Sequence, residues 1–379
     1  MVTAMWPEQL VAKAFATRGG SSIRVSCRRT MAIETVDDLR AHVALATKVE
    51  LSTIPPYLYA FYSIKDPESE AARLIASVVV EEMLHACLTA NLSAALGGDP
   101  HFGYEMIPSY PSPLAHHQPE LVLELKRCSP ELVRETFLTI ERPQAPGAIP
   151  EDDNFETLGQ FYSALELAID RLSEDMDLFA NHQPGRQLSD PAFYGPVTYN
   201  AADAGGLMLI SDRASADEAL EIIIHQGEGV SDQRWADPDH QELTHYYKYL
   251  KIADGASPIG PVWPVPDNPR TADFPNHLRK VSELFNALYG LVYVTMNDLY
   301  SGTQDQGEAI GRLYKLMRFG VSPTARYLVS QPLGPDSNAG PTFEAHRFGA
   351  DPWGETAELA ETVAAEHPEL DEVAQNVTR

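Results

Sequence analysis

The sequence predicts a mainly α-helical protein organised round a four-helix bundle, and three observations carry that reading. Glu-x-x-His occurs twice, at Glu82–His85 and Glu242–His245, each time in a stretch with helical character. A lone glutamate, Glu50, stands inside the apolar stripe of another such stretch. No segment alternates apolar and polar residues over strand length, and no glycine-rich phosphate loop is present. Residues three apart on an α-helix share a face, so each motif can aim a carboxylate and an imidazole at one point. With 30 Glu and 12 His in 379 residues, about one such motif is expected by chance, so the surrounding pattern must justify each copy.

The first helix is expected to begin at Thr35. Leu39, Val43, Ala46, Glu50 and Thr53 recur at three-to-four spacing, which reads as one buried stripe. Pro55 and Pro56 remove the amide donors to the carbonyls of Leu51 and Ser52, so a continuation through Ser63 should be kinked. A second helix is expected over 70–96, stopped by Gly97-Gly98. Its inner stripe is Ile75, Val78, Glu82, His85, Ala86, Thr89 and Leu92.

Residues 100–150 are proline-rich and predict an irregular crossover with a short helix over 130–138. A third long helix is expected over 154–181, displaying Phe161, Tyr162, Leu165, Leu172 and Phe179. Ser215-Ala-Asp-Glu218 has the capping-box pattern and should open a helix ending near Gln226-Gly-Glu-Gly229. A short helix over 238–252 would carry Glu242 and His245. After the prolines of 258–275 two more helices are expected, over 275–300 and 305–319. The acidic segment 346–379 reads as a tail with a frayed surface helix. Residues 1–32, basic through Lys13, Arg18, Arg24, Arg28 and Arg29, read as a disordered extension upstream of a start at Met31. The bundle with its insertions then occupies 33–345.

Composition bounds the function. Apolar residues make up 44% of the chain, enough for a sizeable core. A net charge of −26 argues against nucleic acid and anionic membrane as partners, since polyanions would repel it. Cys27, Cys87 and Cys128 have neither metal-binding nor disulfide spacing, which suits a reducing cytoplasm. The longest apolar stretch, near 287–296, is too short to span a bilayer. Self-association into a homo-oligomer stays open.

The candidate ligands are Glu50, Glu82, His85, Glu228, Glu242 and His245. Four carboxylates and two imidazoles are the composition of a carboxylate-bridged two-metal centre, in which two helices give a Glu and two give Glu-x-x-His. Such a set neutralises two divalent ions, which removes the penalty for burying the acids. Oxygen-rich donors with one imidazole per ion suit iron or manganese better than zinc. Glu81 lies about 100° round the helix from Glu82 and is expected behind the ligands or in solvent. His225 is an alternative to Glu228, and Glu166 is the reserve ligand should Glu228 point away. Tyr162 is the candidate catalytic residue, as a wall of the site or a redox-active neighbour; the competing reading is a plain core tyrosine.

Several runs resemble one family. They are Glu50-Leu-Ser-Thr-Ile-Pro-Pro-Tyr-Leu-Tyr-Ala-Phe-Tyr-Ser-Ile64, Glu81-Glu-Met-Leu-His85, Asn91-Leu-Ser-Ala-Ala-Leu-Gly97, Gln226-Gly-Glu-Gly229, Glu242-Leu-Thr-His-Tyr246 and Ala339-Gly-Pro-Thr-Phe-Glu344. Together they resemble the ferritin-like portion of iminophenyl-pyruvate dimer synthases of violacein- and staurosporine-type pathways, over roughly 34–344. The resemblance implies a ferritin-like core, oxidative chemistry in secondary metabolism, and the six ligands above as the iron site. The N-terminal half of those synthases has no counterpart here, so imine coupling and haem association are not carried over, and the chain reads as a stand-alone version. The expected activity is a metal-dependent oxidoreductase, holding two iron ions, or manganese, and using O2 or peroxide on a small-molecule substrate. The competing class is a non-catalytic ferritin-like module that binds metal or ligand.

Overall fold

A computed structural model describes residues 33–145, 147–190, 193–194, 205–227, 243–303 and 305–377. Helix α1 (Val36–Ser63) opens with Thr35 and Asp38 capping each other reciprocally. Pro55 and Pro56 sit inside it, and the carbonyl of Ser52, which loses its helical donor at Pro56, accepts instead from the Tyr110 hydroxyl at 2.7 Å. Helix α2 (Glu70–Ala95) is capped by the Ser69 side chain and ends at Gly97, whose φ of +73° is the left-handed turn that glycine takes without a Cβ penalty. The hairpin α1–α2 is the spine of the molecule.

Residues 130–140 form one helical run, α3, in which Pro130–Leu132 and Leu138–Ile140 are α and Val133–Phe137 is a π turn. Helix α4 (Leu158–Ser173) is much shorter than the 154–181 expected. Thr157 caps its start, and Glu174, Asp175 and Asp177 follow its end, where the dipole disfavours anions. Helix α5 (Arg213–Gly227) starts two residues before the expected cap. The reciprocal cap is Asp212 with Ser215: Oδ1 of Asp212 accepts from the Ser215 amide at 2.9 Å, and Oγ of Ser215 accepts from the Asp212 amide at 3.1 Å. Helix α6 (His245–Ala253) starts later than the expected 238–252 helix, because Leu243 is not helical and Thr244 is extended; residues 238–242 lie outside the described residues.

Helix α7 (Asn276–Tyr300) is as expected. The last expected helix runs on as α8, over 306–330, through a π turn at Leu316–Val321. The acidic tail is not frayed. Helices α9 (Pro352–Glu366) and α10 (Asp371–Val377) bury Ala360, Val363, Val373 and Val377 against α7 and α8. The apolar residues recur at helical spacing beneath the charges. Two short antiparallel hairpins complete the fold, β1 (Ser112–Pro113) with β2 (Val122–Leu123) and β3 (Pro332–Gly334) with β4 (Ser337–Asn338). Among the described residues no helix is long and apolar enough to cross a membrane.

Apolar side chains gather into two cores, and both use the α1–α2 spine. One joins Leu39, Val43, Leu84 and Leu88 to Phe161 and Leu165 of α4 and Leu220 of α5. The other joins Tyr57, Ile75 and Val78 to Leu284 and Leu288 of α7 and Leu313 of α8. The spine therefore presents different faces to two different partners.

Candidate metal centre

Glu50, halfway along α1, and Glu82 and His85, halfway along α2, are buried and adjacent because both helices turn that stripe toward α4–α6. His245 is the first residue of α6 and is fully enclosed. The structure brings a further carboxylate to this spot, Glu141, at the end of α3 and 3% exposed. Donor atoms of Glu50, Glu82 and His85 lie within 4.8 Å of one another, as do those of Glu82, Glu141 and His245. Glu82 belongs to both groups. A cavity of about 20 Å³ opens between them, walled also by Ile140, Tyr162, Ile223 and Gly227. It has room for a water or an ion or so, and none for an organic molecule.

Each donor is held from behind. Nδ1 of His245 lies 3.0 Å from Glu82 Oε1 and 3.2 Å from Glu141 Oε2, while Nε2 faces Glu81 Oε2 at 2.9 Å. Nδ1 of His85 lies 3.5 Å from Glu50 Oε2, while Nε2 pairs with the side-chain oxygen of Gln226 at 2.8 Å. The Thr53 hydroxyl donates to Glu82 Oε2 at 2.9 Å. Two tyrosines serve the remaining acids: Tyr57 donates to Glu141 Oε1 at 2.5 Å, and Tyr162 donates to Glu50 Oε1. Glu81 is ion-paired with the fully buried Lys248, whose Nζ reaches its Oε1 at 2.7 Å and Ser77 at 2.9 Å.

The electrostatics follow from crowding acids in a dry interior. Burial, then the charges of Glu50 and Glu141, push the Glu82 carboxyl well above the usual range. Burial also acts to raise Glu50, yet the His85 ring, with hydrogen bonds from Glu82 and Tyr162, holds it below its usual value. Burial acts to lower His245, but Glu141, Glu81 and Glu82 together hold its proton well above the ordinary imidazole value. The Tyr162 phenol is pushed well up by burial and by Glu50.

Of the sequence-derived ligands, Glu50, Glu82, His85 and His245 come together, and Glu228 and Glu242 lie outside the described residues. Glu166 does not join them. It is half-buried beside Asp217, Asp170 and Glu221, which raise its pKa after burial does. His225 is half-buried on α5 and belongs to neither group, and Glu81 stands behind His245. Glu141 and Lys248 were missed by sequence reasoning. Val133, Phe137 and Glu141 recur every four residues, and Lys248 stands on the His245–Tyr249–Ile252 face, so each is a charge in an apolar stripe.

Comparison with known proteins bears on the family and the fold. A family model described as ferritin-like matches residues 43–254. Across 345 residues the chain is 24% identical to the 2-imino-3-(indol-3-yl)propanoate dimerase of Chromobacterium violaceum, a match covering 80% of this chain and 33% of that protein. The chain thus spans about a third of the length of that curated relative. The crystal structure of a ferritin-like protein from Caulobacter vibrioides superposes with a TM-score of 0.56 at 23% identity, over 76% of this chain and 95% of the other, and shares the fold. A helical fold with buried glutamates and histidines on its inner faces, and a family model covering more than half of the sequence, lead to one assignment: this chain belongs to the ferritin-like family.

Proposed function

We propose that the protein is a metal-dependent oxidoreductase that holds two iron ions, or manganese, and uses O2 or peroxide on a small organic molecule in secondary metabolism. The observation that carries this reading is the pair of Glu/His groups sharing Glu82. Their donors come from α1, α2, the end of α3 and the first residue of α6: two single glutamates (Glu50, Glu141), one Glu-x-x-His helix (Glu82/His85) and His245. The donor chemistry fits such ions. Three buried carboxylates and two imidazoles converge, and the enclosed Lys248 beside them is already engaged by Glu81, so the acids call for cations.

In this reading Glu82 is the shared ligand, Glu50 with His85 completes one position, and Glu141 with His245 completes the other. Gln226 and Glu81 fix the far nitrogen of each imidazole, which sets ring orientation and ligand basicity. Tyr162 and Tyr57 hold the free oxygens of Glu50 and Glu141, and Tyr162 is placed to exchange a proton with Glu50. When bound, a carboxylate-held iron pair supplies the oxidising power drawn from O2 or peroxide. The aromatic walls at Tyr57, Phe137 and Tyr249 keep water from the α3–α6 side.

One observation favours a second reading, a non-catalytic metal-binding module: the cavity between the acids is too small for an organic molecule. Metal analysis of the purified protein and a measurement of O2 uptake after anaerobic loading with ferrous ion separate the outcomes. Two ions per chain with continuing O2 uptake in the presence of reductant supports the oxidoreductase. Two ions with a single stoichiometric uptake supports the module. A protein that takes up neither iron nor manganese overturns both.

A further inference from the structure

We infer that the reverse side of the α1–α2 spine carries a binding pocket for a small uncharged apolar molecule, which under the function proposed above is dioxygen. A second cavity, about 50 Å³, lies between the spine and α7–α8. Leu51, Ile54, Met83 and Ala86 form its spine wall; Tyr289, Val292 and Met296 of α7 face them, with Leu313 and Met317 of α8. The surface turned to the cavity is almost wholly carbon and sulfur. Cys87, also in the wall, is a neutral thiol, because burial pushes its pKa up to about 12.

The first argument is register. Each named spine residue follows a side chain of the metal cluster in sequence: Leu51 after Glu50, Ile54 after Thr53, Met83 after Glu82, and Ala86 after His85. Consecutive residues point about 100° apart, so the cavity and the acids occupy the same turns of the same two helices, within roughly one helix diameter.

The second argument is size and chemistry. Apolar cavities of this kind stay dry and take xenon or benzene when about 150 Å³ in volume, so one a third as large fits a molecule of two or three heavy atoms. Nothing in its walls would compensate a charge. Methionine side chains on three helices make those walls adaptable.

The third argument is that the chain spends backbone strain to hold a wall in place. Phe343, in the Ala339–Glu344 run, has a φ of +48°, which a residue with a Cβ rarely adopts. Its ring packs edge-on against Tyr289, with centroids 5.1 Å apart, and against Phe285 at 4.9 Å. Both neighbours of Phe343 are tied to one atom, Asn286 Oδ1: the Thr342 hydroxyl donates at 2.9 Å and the Glu344 amide at 3.0 Å. The π turn of α8 likewise includes Met317, and π turns recur at functional sites.

Xenon-pressurised crystals test the pocket without metal or turnover. A xenon peak between Leu51 and Val292 is expected in the wild type and should be lost in Val292→Phe or Leu313→Phe, either of which fills the space. In the iron-loaded protein these variants should raise KM for O2 about fivefold with kcat at saturating O2 unchanged. No xenon in the wild-type cavity overturns the inference. A variant that loses xenon but keeps the wild-type KM for O2 overturns the dioxygen assignment. Xenon bound in a protein that consumes no O2 leaves the apolar pocket standing and refutes the oxidoreductase reading instead.

Discussion

Replacing Glu82 with glutamine should make the metal-free protein more stable and the metal-loaded protein less stable. Donor oxygens of Glu82 lie within 4.8 Å of those of Glu50 and of Glu141. At an effective dielectric of about 20, two unit charges at that distance repel by roughly 3.5 kcal/mol. The metal-free wild type avoids this by protonating Glu82, which at pH 7 costs up to roughly 3.5 kcal/mol for a carboxyl whose ordinary pKa is near 4.3. Either way Glu82→Gln removes about 3 kcal/mol of frustration, or ~5 °C in Tm for a chain of this length. Thr53 donates to Oε2 of Glu82 and Nδ1 of His245 faces Oε1, so the glutamine oxygen keeps the Thr53 contact while its amide nitrogen donates to Nδ1 of a His245 that carries its proton on Nε2. With metal present the order reverses. Ligand at 100 times its Kd stabilises by about 2.7 kcal/mol per site, and a variant without the shared carboxylate forfeits this at both positions. Thermal denaturation in chelator and in ferrous or manganous ion, run side by side, reads both effects. A glutamine variant less stable than wild type in chelator at pH 7–8 would refute the claim that uncompensated acids call for cations here.

Further outcomes follow from the same geometry. Glu141→Ala should lower metal content from two ions per chain to one; two retained ions would remove Glu141 from the ligand set. Lys248→Met leaves the buried Glu81 with His245 as its facing cationic group and should cost about 3 kcal/mol, most of it recovered in the Glu81→Gln/Lys248→Met double variant, as a denaturation cycle would read. Tyr162→Phe deletes the hydroxyl on Glu50 and should change stability by only ~1 kcal/mol, while turnover falls and its acid limb moves to higher pH. The raised Glu82 and His245 bind protons more tightly folded than unfolded, so their contribution is present below the unfolded values and lost as pH climbs through the folded ones. Glu50, held low, acts oppositely: its contribution is present above the ordinary carboxyl range and lost as pH falls through its lowered value. The Tm of chelated protein should therefore fall from pH 6 to 9 and be nearly flat with metal bound.

How much of this is legible in the sequence depends on how regular the local helix is. Glu50, Glu82 and His85 are readable because α1 and α2 keep their 3.6-residue phase across the relevant turns, so a polar residue in the stripe is a polar residue in the core. Glu141 escapes for the converse reason. The π turn at Val133–Phe137 breaks that phase just before it, and Glu141 caps a helical run that reaches 140, beyond the short helix expected over 130–138. The tail misleads through composition: its acidic surface hides the spacing of Ala360, Val363, Val373 and Val377. What no one-dimensional pattern supplies is the charge balance. Lys248 is a lysine among aromatic residues until the fold sets it against Glu81, and only then is it evident that this cation is taken. Glu50, Glu82 and Glu141 are left facing one another across a space the size of an ion. An interior whose buried ammonium is engaged by the acid behind the cluster, and whose acids are offset without metal only by protons held on Glu82 and His245, is arranged for charge that arrives from outside the chain.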